Sequence, residues 1–168
     1  MNILITYASK YGTTEKAVSE ILKYLTADTY NCRNKVWHDG ALTGEPSVSK
    51  YDTVIIGSPM YMGSPLKEIK QFCKRNEEEL VKKDVIFFTC GIGSREEDEN
   101  YLRKHIPQSL FGKNTLYYHF GAEMQYDRMN VMERFAMKKY EETHGPVSGI
   151  DKNLIEEFCS KVNSRGGQ

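Results

Sequence analysis

The chain of 168 residues has no excess of charge of either sign, because 23 lysines and arginines stand against 23 aspartates and glutamates. Nucleic-acid-binding proteins usually carry a basic surface, and carriers that dock on basic partners are strongly acidic, so this balance disfavours both classes. Long hydrophobic runs are also lacking. The longest apolar runs are of strand length, far below the ~20 residues that a membrane-spanning helix needs, and we expect no integral membrane segment.

Cysteine is scarce, and its spacing favours neither a metal site nor a disulfide framework. No CxxC pair occurs, and the four cysteines are scattered at positions 32, 73, 90 and 159, which predicts free thiols. The four histidines are equally dispersed, and no metal or catalytic role is predicted for them. The start of the chain lacks the basic region of a signal peptide, so we expect a cytoplasmic protein.

Length and composition indicate one globular domain with a full core, since 39% of the residues are hydrophobic and 27% are charged,. We expect a single domain over residues 1–163 and a flexible tail over residues 164–168. Buried strands are predicted at residues 2–7, 35–38, 53–57, 84–89 and 116–120, the third of them stopped by proline at Ser58-Pro59. Helices are predicted at residues 15–25, from Pro65 onward, and at 101–105, 129–140 and 154–162.

Strands alternate with helices along the chain, and the central strands are apolar throughout their length. Both features are typical of an α/β protein whose parallel sheet is covered by helices on both faces. We predict a doubly wound, five-stranded parallel sheet in the order 2-1-3-4-5. Ligands of such sheets bind beyond the carboxyl ends of the strands, where the strand order reverses. The loops after strands 1, 3 and 4 should therefore meet at one site.

Loop 1 (residues 9–14) joins the first strand to the first helix and predicts a phosphate site. Its glycine permits a sharp turn, and its hydroxyls and the N–H groups at the helix start can bind one anion together. Capping of the helix by one threonine is the alternative, although capping accounts for one hydroxyl and not for three. The residues assigned to this site are Ser9, Lys10, Tyr11, Gly12, Thr13 and Thr14.

Loop 2 (residues 58–63) and loop 3 (residues 89–94) predict the walls of a site for a flat ligand. Two methionines and a tyrosine in loop 2 can stack on an aromatic ring, or pack beneath a neighbouring loop. Two glycines in loop 3 let backbone groups approach the edge of such a ligand closely. Cys90 has no His or Arg partner in the sequence, which favours packing over nucleophilic chemistry. The residues assigned to these walls are Pro59, Met60, Tyr61, Met62, Gly63, Thr89, Cys90, Gly91, Ile92 and Gly93.

The Ser9-x-x-Gly12-x-Thr14 turn resembles the FMN phosphate loop of the flavodoxin superfamily, and the resemblance covers essentially the whole chain. A narrower stretch is similar to the flavodoxin-type menaquinone-dependent protoporphyrinogen dehydrogenases, through Phe120-Gly121-Ala122, Tyr126, Arg134-Phe135 and Met137-Lys138. The resemblance implies a flavodoxin-like fold with an extra helical insertion near the fifth strand, at residues 123–145. It also implies FMN as the cofactor.

Two functions follow from this resemblance. The first is an FMN-binding redox protein that transfers electrons to or from a partner protein or a small molecule, with the flavin supplying the chemistry. The second is an oxidoreductase that acts on a tetrapyrrole or a quinone. In the second, helix 129–140 forms a lid beside the flavin, together with Met124, Tyr126, Met129 and Met132. Packing of this helix in the core is the alternative to a lid. Whether the protein is a carrier or an enzyme stays open.

Two other classes of protein with a related topology are disfavoured. A receiver-type signalling module needs acidic residues at the strand ends to hold Mg²⁺, and neither strand 1 nor strand 3 ends in one,. A cysteine phosphatase needs Cys-x5-Arg in a glycine-rich loop. Cys90 and Arg95 are one residue too close, and Cys159 and Arg165 have the spacing but lie at the end of a predicted helix.

Overall fold

A computed structural model describes residues 1–38, 40 and 44–165, and strands alternate with helices through most of this range. The strands are β1 (Ile3–Tyr7), β2 (Asp28–Asn31), β3 (Val36–Trp37), β4 (Thr53–Tyr61), β5 (Ser64–Pro65), β6 (Asp84–Cys90), β7 (Leu116–His119), β8 (Gly121–Ala122) and β9 (Gly149–Ile150). The helices are α1 (Thr13–Ile21), α2 (Lys67–Arg75), α3 (Glu77–Leu80), α4 (Arg95–His105), α5 (Val131–His144) and α6 (Lys152–Arg165).

Five parallel strands form the centre of one sheet, in the order β2-β1-β4-β6-β7. This is the predicted order 2-1-3-4-5, and the predicted α/β fold is confirmed. β3 adds an antiparallel edge beside β2, β5 pairs back onto the end of β4, and β8 and β9 form a separate antiparallel ribbon. The strand order reverses between β1 and β4, so a crevice opens at their carboxyl ends.

Helices cover both faces of the sheet, because adjacent residues of a strand point to opposite sides. Phe87 belongs to the core on one face, with Phe72 of α2. Its neighbour Phe88 belongs to the core on the other face, with Phe120 and with Phe158 of α6. These five rings are fully buried. The continuous apolar strands therefore serve two cores, as their lack of alternation predicts.

The second parallel strand differs from the prediction. It is β2 at residues 28–31, whereas the strand predicted at 35–38 shortens to the two-residue β3, which is antiparallel to β2. The sequence of β2 is Asp-Thr-Tyr-Asn, and its polar residues gave no apolar pattern from which to predict a strand. The strand is nevertheless largely buried, with Asn31 only 4% exposed. The aromatic rings of Tyr30 and Trp37 pack 5.3 Å apart and join β2 to β3.

The third predicted strand continues where proline was expected to stop it, since β4 runs through Pro59 to Tyr61. The carbonyl of Gly57 accepts the N–H of Ala8, so Gly57 faces β1, and Pro59, two residues on, faces the same side,. The pairing of β1 with β4 ends at Gly57. The nitrogen of Pro59 therefore faces no partner strand, and its missing hydrogen costs no ladder hydrogen bond.

Two helices begin at other residues than predicted, each for a local reason. α4 begins at Arg95 instead of residue 101, because Ser94 and Glu97 form a reciprocal capping box at its start,. α2 begins at Lys67, because Pro65 is part of β5 and precedes the helix. The short helix α3 was not predicted.

The remaining differences concern where segments end. α1 ends at Ile21 and not at residue 25, and α5 extends to His144. α6 runs to Arg165, where an ion pair with Asp84 (2.6 Å) holds residues that were assigned to the tail. Residues 39 and 41–43 of the predicted loop and residues 166–168 of the predicted tail lie outside the described residues.

No helix in the described parts of the chain has the length and apolar character needed to cross a membrane. Within the same ranges, no group of three or more His, Cys, Asp or Glu side chains is arranged to hold a metal ion. All four cysteines are buried and unpaired, as their spacing predicts.

Candidate cofactor site

A cavity of about 490 Å³ opens at the carboxyl ends of β1, β4 and β6, where the three predicted loops meet. Most of the residues predicted for the site line this cavity, namely Ser9, Lys10, Tyr11, Thr13, Thr14, Pro59, Met60, Tyr61, Met62, Cys90, Gly91 and Ile92. Four predicted residues do not line it, namely Gly12, Gly63, Thr89 and Gly93. Gly12 and Gly63 form turns behind the cavity wall, and Thr89 and Gly93 lie next to buried polar groups.

Loop 1 ends in a left-handed turn at Gly12, whose φ of 97° suits glycine,. Ser9 Oγ accepts the N–H of Gly12 at 3.0 Å and fixes the turn. No side chain caps α1, so the alternative in which a threonine serves only as the helix cap is wrong.

Several polar groups of loop 1 have no partner. Thr14 is fully buried, and its hydroxyl has no partner at hydrogen-bond distance within the described residues, although the Cys90 thiol is its neighbour. Among the residues that the structure describes, none accepts a hydrogen bond from the backbone N–H groups of Thr13 and Thr14. Unpaired donors at a helix start bind anions, because the helix dipole adds to their own partial charge. This end of the cavity is therefore built to receive a negatively charged group.

Loop 2 comprises the last residues of β4 and the two-residue turn that joins β4 to β5. Met62 and Gly63 have φ values of 50° and 71°, the signs that a two-residue hairpin turn of the I′ type requires. Methionine tolerates this conformation poorly, yet Met62 occupies it and is 90% exposed at the cavity mouth,. Behind the turn, a Cβ on Gly63 would lie 3.1 Å from the Tyr101 ring.

Loop 3 places Cys90, Gly91 and Ile92 on the opposite wall. Burial raises the pKa of the Cys90 thiol to about 12, so the thiol is not ionised near neutral pH and the packing interpretation stands. Thr89 is fully buried and serves the core, because its hydroxyl lies 2.6 Å from the hydroxyl of Tyr117 and 3.1 Å from Nδ1 of His119.

A third wall, which the predicted site lacked, comes from residues 122–144. We call this the cover segment; it contains the Tyr126–Arg128 turn and α5. Its cavity-lining residues are Ala122, Glu123, Met124, Met129, Glu133, Ala136 and Met137. Of the residues expected in a lid, Met124 and Met129 line the cavity, whereas Tyr126 and Met132 do not. Met132 and Phe135 are 83% and 72% exposed. α5 buries no residue, so the alternative of a core-packing helix is wrong.

Glu133 of α5 joins the cover segment to loops 1 and 2. Its Oε1 accepts hydrogen bonds from Lys10 Nζ (3.0 Å), from the Tyr61 hydroxyl (3.2 Å) and from the Tyr11 hydroxyl. Hydrogen bonds from Tyr11, from the backbone of Asn130 and from Lys10 lower the pKa of Glu133 to about 2. Lys10 also lies 3.4 Å from the centre of the Tyr61 ring, a cation–π contact.

The start of the cover segment packs directly on loop 1. The Thr13 hydroxyl donates to the Glu123 carbonyl at 3.2 Å, and the Glu123 carboxylate pairs with Lys16 at 2.6 Å. Arg128 Nη1 donates to the Tyr11 carbonyl at 3.3 Å. A capping box of Asn130 and Glu133 begins α5. That motif could have located the start of the helix from the sequence, but not its contact with the cavity.

The sheet order and the cavity define an α/β protein with a candidate ligand site at the reversal of strand order. A family model described as the Flavodoxin domain matches residues 4–147. The chain belongs to this flavodoxin family, and the predicted membership is confirmed. No curated protein matches the sequence.

Two solved structures illustrate the shared fold. A WrbA-like flavodoxin from Agrobacterium tumefaciens is 20% identical, with a TM-score of 0.51, over 93% of this chain and 98% of that chain. A flavodoxin from Fusobacterium nucleatum, solved bound to flavin mononucleotide, is 15% identical, with a TM-score of 0.51, over 98% of each chain. At such identities the likeness concerns the fold alone.

Proposed function

We propose that this protein binds FMN and works as a redox protein that transfers electrons through the flavin. The observation that carries the proposal is the unpaired polar floor of the cavity, formed by the buried Thr14 hydroxyl and the N–H groups of Thr13 and Thr14. Family membership and the FMN-bound relative from Fusobacterium nucleatum add support. A phosphate supplies the acceptors that these donors lack.

The residues of the cavity fit FMN in chemistry as well as in position. Loop 1 would hold the phosphate, while the apolar side chains of loop 2, such as Met60, and Ile92 of loop 3 would flank the flavin ring,. Bound FMN would supply one- and two-electron transfer. The chain itself binds the cofactor, excludes water with its apolar walls, and controls access through the cover segment.

The direct test is to add FMN to the purified protein and to record its visible spectrum and dissociation constant. Thr14→Val keeps the shape of the side chain but removes the hydroxyl, so we expect the dissociation constant to rise about tenfold, the effect of one hydrogen bond to a charged group.

Thr29→Val is the matched control for this test. The Thr29 hydroxyl is also buried and unpaired, but it lies in β2 and does not line the cavity. Thr29→Val should therefore leave FMN binding unchanged. A wild-type protein that retains no FMN would contradict the proposal. Equal changes of the dissociation constant in Thr14→Val and Thr29→Val would contradict the binding of the phosphate by loop 1.

A finer assignment, an oxidoreductase that acts on a tetrapyrrole or a quinone, is a second candidate. It is favoured by the cover segment, which places Met129 and Met137 on the cavity while Phe135 of α5 stays exposed. The test is turnover of the FMN-loaded protein with porphyrinogens and quinones. Deletion of residues 125–142 should abolish turnover if the cover segment binds the substrate. Absence of turnover in the wild type would leave the electron carrier as the function.

A further inference from the structure

A buried carboxylate lies directly behind loop 3, on the side away from the cavity. Asp98 of α4 is 4% exposed, whereas Glu96 on the same turn of helix is exposed. A Cβ on Gly93 would lie 2.6 Å from Asp98 Oδ1, and a Cβ on Gly91 would lie 3.0 Å from Oδ2. Neither glycine has a positive φ. The space that the carboxylate occupies therefore favours glycine at position 93 and leaves little room for a side chain at position 91.

Asp98 is incompletely paired in its buried position. Its Oδ2 lies 3.2 Å from Nδ1 of His119, but no donor among the described residues is aligned to give it a hydrogen bond. The same Nδ1 lies 3.1 Å from the Thr89 hydroxyl, so a polar chain links α4, β6 and β7 behind loop 3. Burial of a carboxylate with an unpaired oxygen is costly. A packing role alone would be served better by an uncharged side chain.

The far side of loop 3 opens into a second, smaller cavity of about 230 Å³. Gly91 and Ile92 line both this cavity and the larger one, and His119 lines only the smaller. Loop 3 is therefore a thin wall with the candidate flavin site on one side and the Asp98–His119 pair on the other. Asp98 is buried, and a charge in the protein interior is screened less than it would be in water,.

We propose that Asp98 is a positioning residue for the flavin, which holds loop 3 against the ring and keeps a negative charge behind it. This inference rests on the proposed FMN binding. Reduction adds negative charge to FMN, so a fixed carboxylate nearby disfavours the reduced form. The midpoint potential of the bound flavin is therefore more negative than it would be without Asp98.

The test is to measure the midpoint potential of bound FMN in Asp98→Asn, which keeps the shape of the side chain and removes its charge. We expect binding of reduced relative to oxidised FMN to strengthen about tenfold, which for a two-electron couple is a rise of about 30 mV. Glu96→Gln removes a charge from the exposed side of the same turn and should leave the potential unchanged. A potential in Asp98→Asn equal to that of Glu96→Gln would overturn the inference.

A double-mutant cycle tests the contact with loop 3 even if Asp98→Asn folds poorly. Gly93→Ala should weaken FMN binding, because its Cβ collides with the carboxylate, and adding Asp98→Ala should restore part of the loss. Strictly additive effects would show that Asp98 does not position the loop. These outcomes are separate from the proposed function, which fails only if the wild-type protein does not bind FMN.

Discussion

Helices α5 and α6 have the same length, 14 residues, but opposite relations to the rest of the molecule. α6 buries Ile155, Phe158, Cys159 and Val162 against the sheet. α5 buries no residue and leaves Met132 and Phe135 exposed. One side of α5 lines the cavity, and its Glu133 forms hydrogen bonds with the loops on the other side of that cavity. One helix completes the core, and the other completes the candidate site.

The difference shows that an apolar pattern in a helix does not by itself identify a core element. Both helices carry aromatic and aliphatic residues, but burial of such residues depends on the surface that the fold places beside them. α5 lacks the buried apolar stripe of a helix that packs in a core,. Substitutions in the two helices should therefore separate stability from cofactor binding.

The largest expected contrast is between two phenylalanines. Phe158→Ala in α6 removes a fully buried ring that packs 5.1 Å from Tyr118 and 5.5 Å from Phe120, and should lower the free energy of unfolding by about 3–5 kcal/mol. Phe135→Ala in α5 should change it by less than about 0.5 kcal/mol. Urea unfolding of both variants measures the contrast. Equal losses would mean that α5 is a core helix in solution.

The next effect concerns Glu133, through which α5 holds loops 1 and 2. Glu133→Gln weakens the hydrogen bonds from Lys10, Tyr11 and Tyr61, so we expect FMN to dissociate roughly five times faster, since bonds to a charged group are the stronger ones. Stopped-flow release of FMN gives the rate. Glu142→Gln, at an exposed position of the same helix that does not line the cavity, is the control and should match the wild type.

A smaller effect is expected at the strained turn of loop 2. Met62→Asn places a residue that tolerates positive φ where methionine has a φ of 50°, and should raise the free energy of unfolding by about 0.5–1 kcal/mol. FMN binding should weaken, because Met62 lines the cavity. Lys35→Asn, at the other non-glycine residue with positive φ, should stabilise the protein without a change in FMN affinity. Weaker FMN binding in Lys35→Asn as well would show that the loss in Met62→Asn does not come from the cavity contact of Met62.

The last prediction is that the ionisation of Glu133 has no effect on the rate of FMN release near neutral pH. The pKa of Glu133 is held at about 2 by the hydrogen bonds that it accepts, below the usual value of about 4.3. A carboxylate with a lowered pKa gives a stabilisation that is complete above the usual pKa and disappears as the pH falls through the lowered one. The rate of FMN release should therefore show no step from Glu133 between pH 4 and 7. A step in the wild type that is absent from Glu133→Gln would show that the contact between α5 and the loops is weaker in solution.

Much of the site was predictable because its parts are local. Loops 1, 2 and 3 follow buried apolar strands, and parallel strands bring their carboxyl ends to one edge of the sheet. The structure places Thr14, Met60 and Gly91 on one cavity. The strand β2 escaped prediction because its residues are polar. Of the two glycines predicted in loop 3, Gly91 lines the cavity, whereas Gly93 does not line it and lies against Asp98.

The sequence by itself determined the alternation of strands and helices, the parallel sheet and the glycine turn before α1, because each depends on periodicity or on residues a few positions apart. Only the tertiary structure decided that Glu133 meets Lys10, 123 positions away, and Tyr61, 72 positions away. It also decided that Asp98 lies behind loop 3. Such contacts depend on how packed elements are oriented in three dimensions, and no local pattern of residues records that orientation.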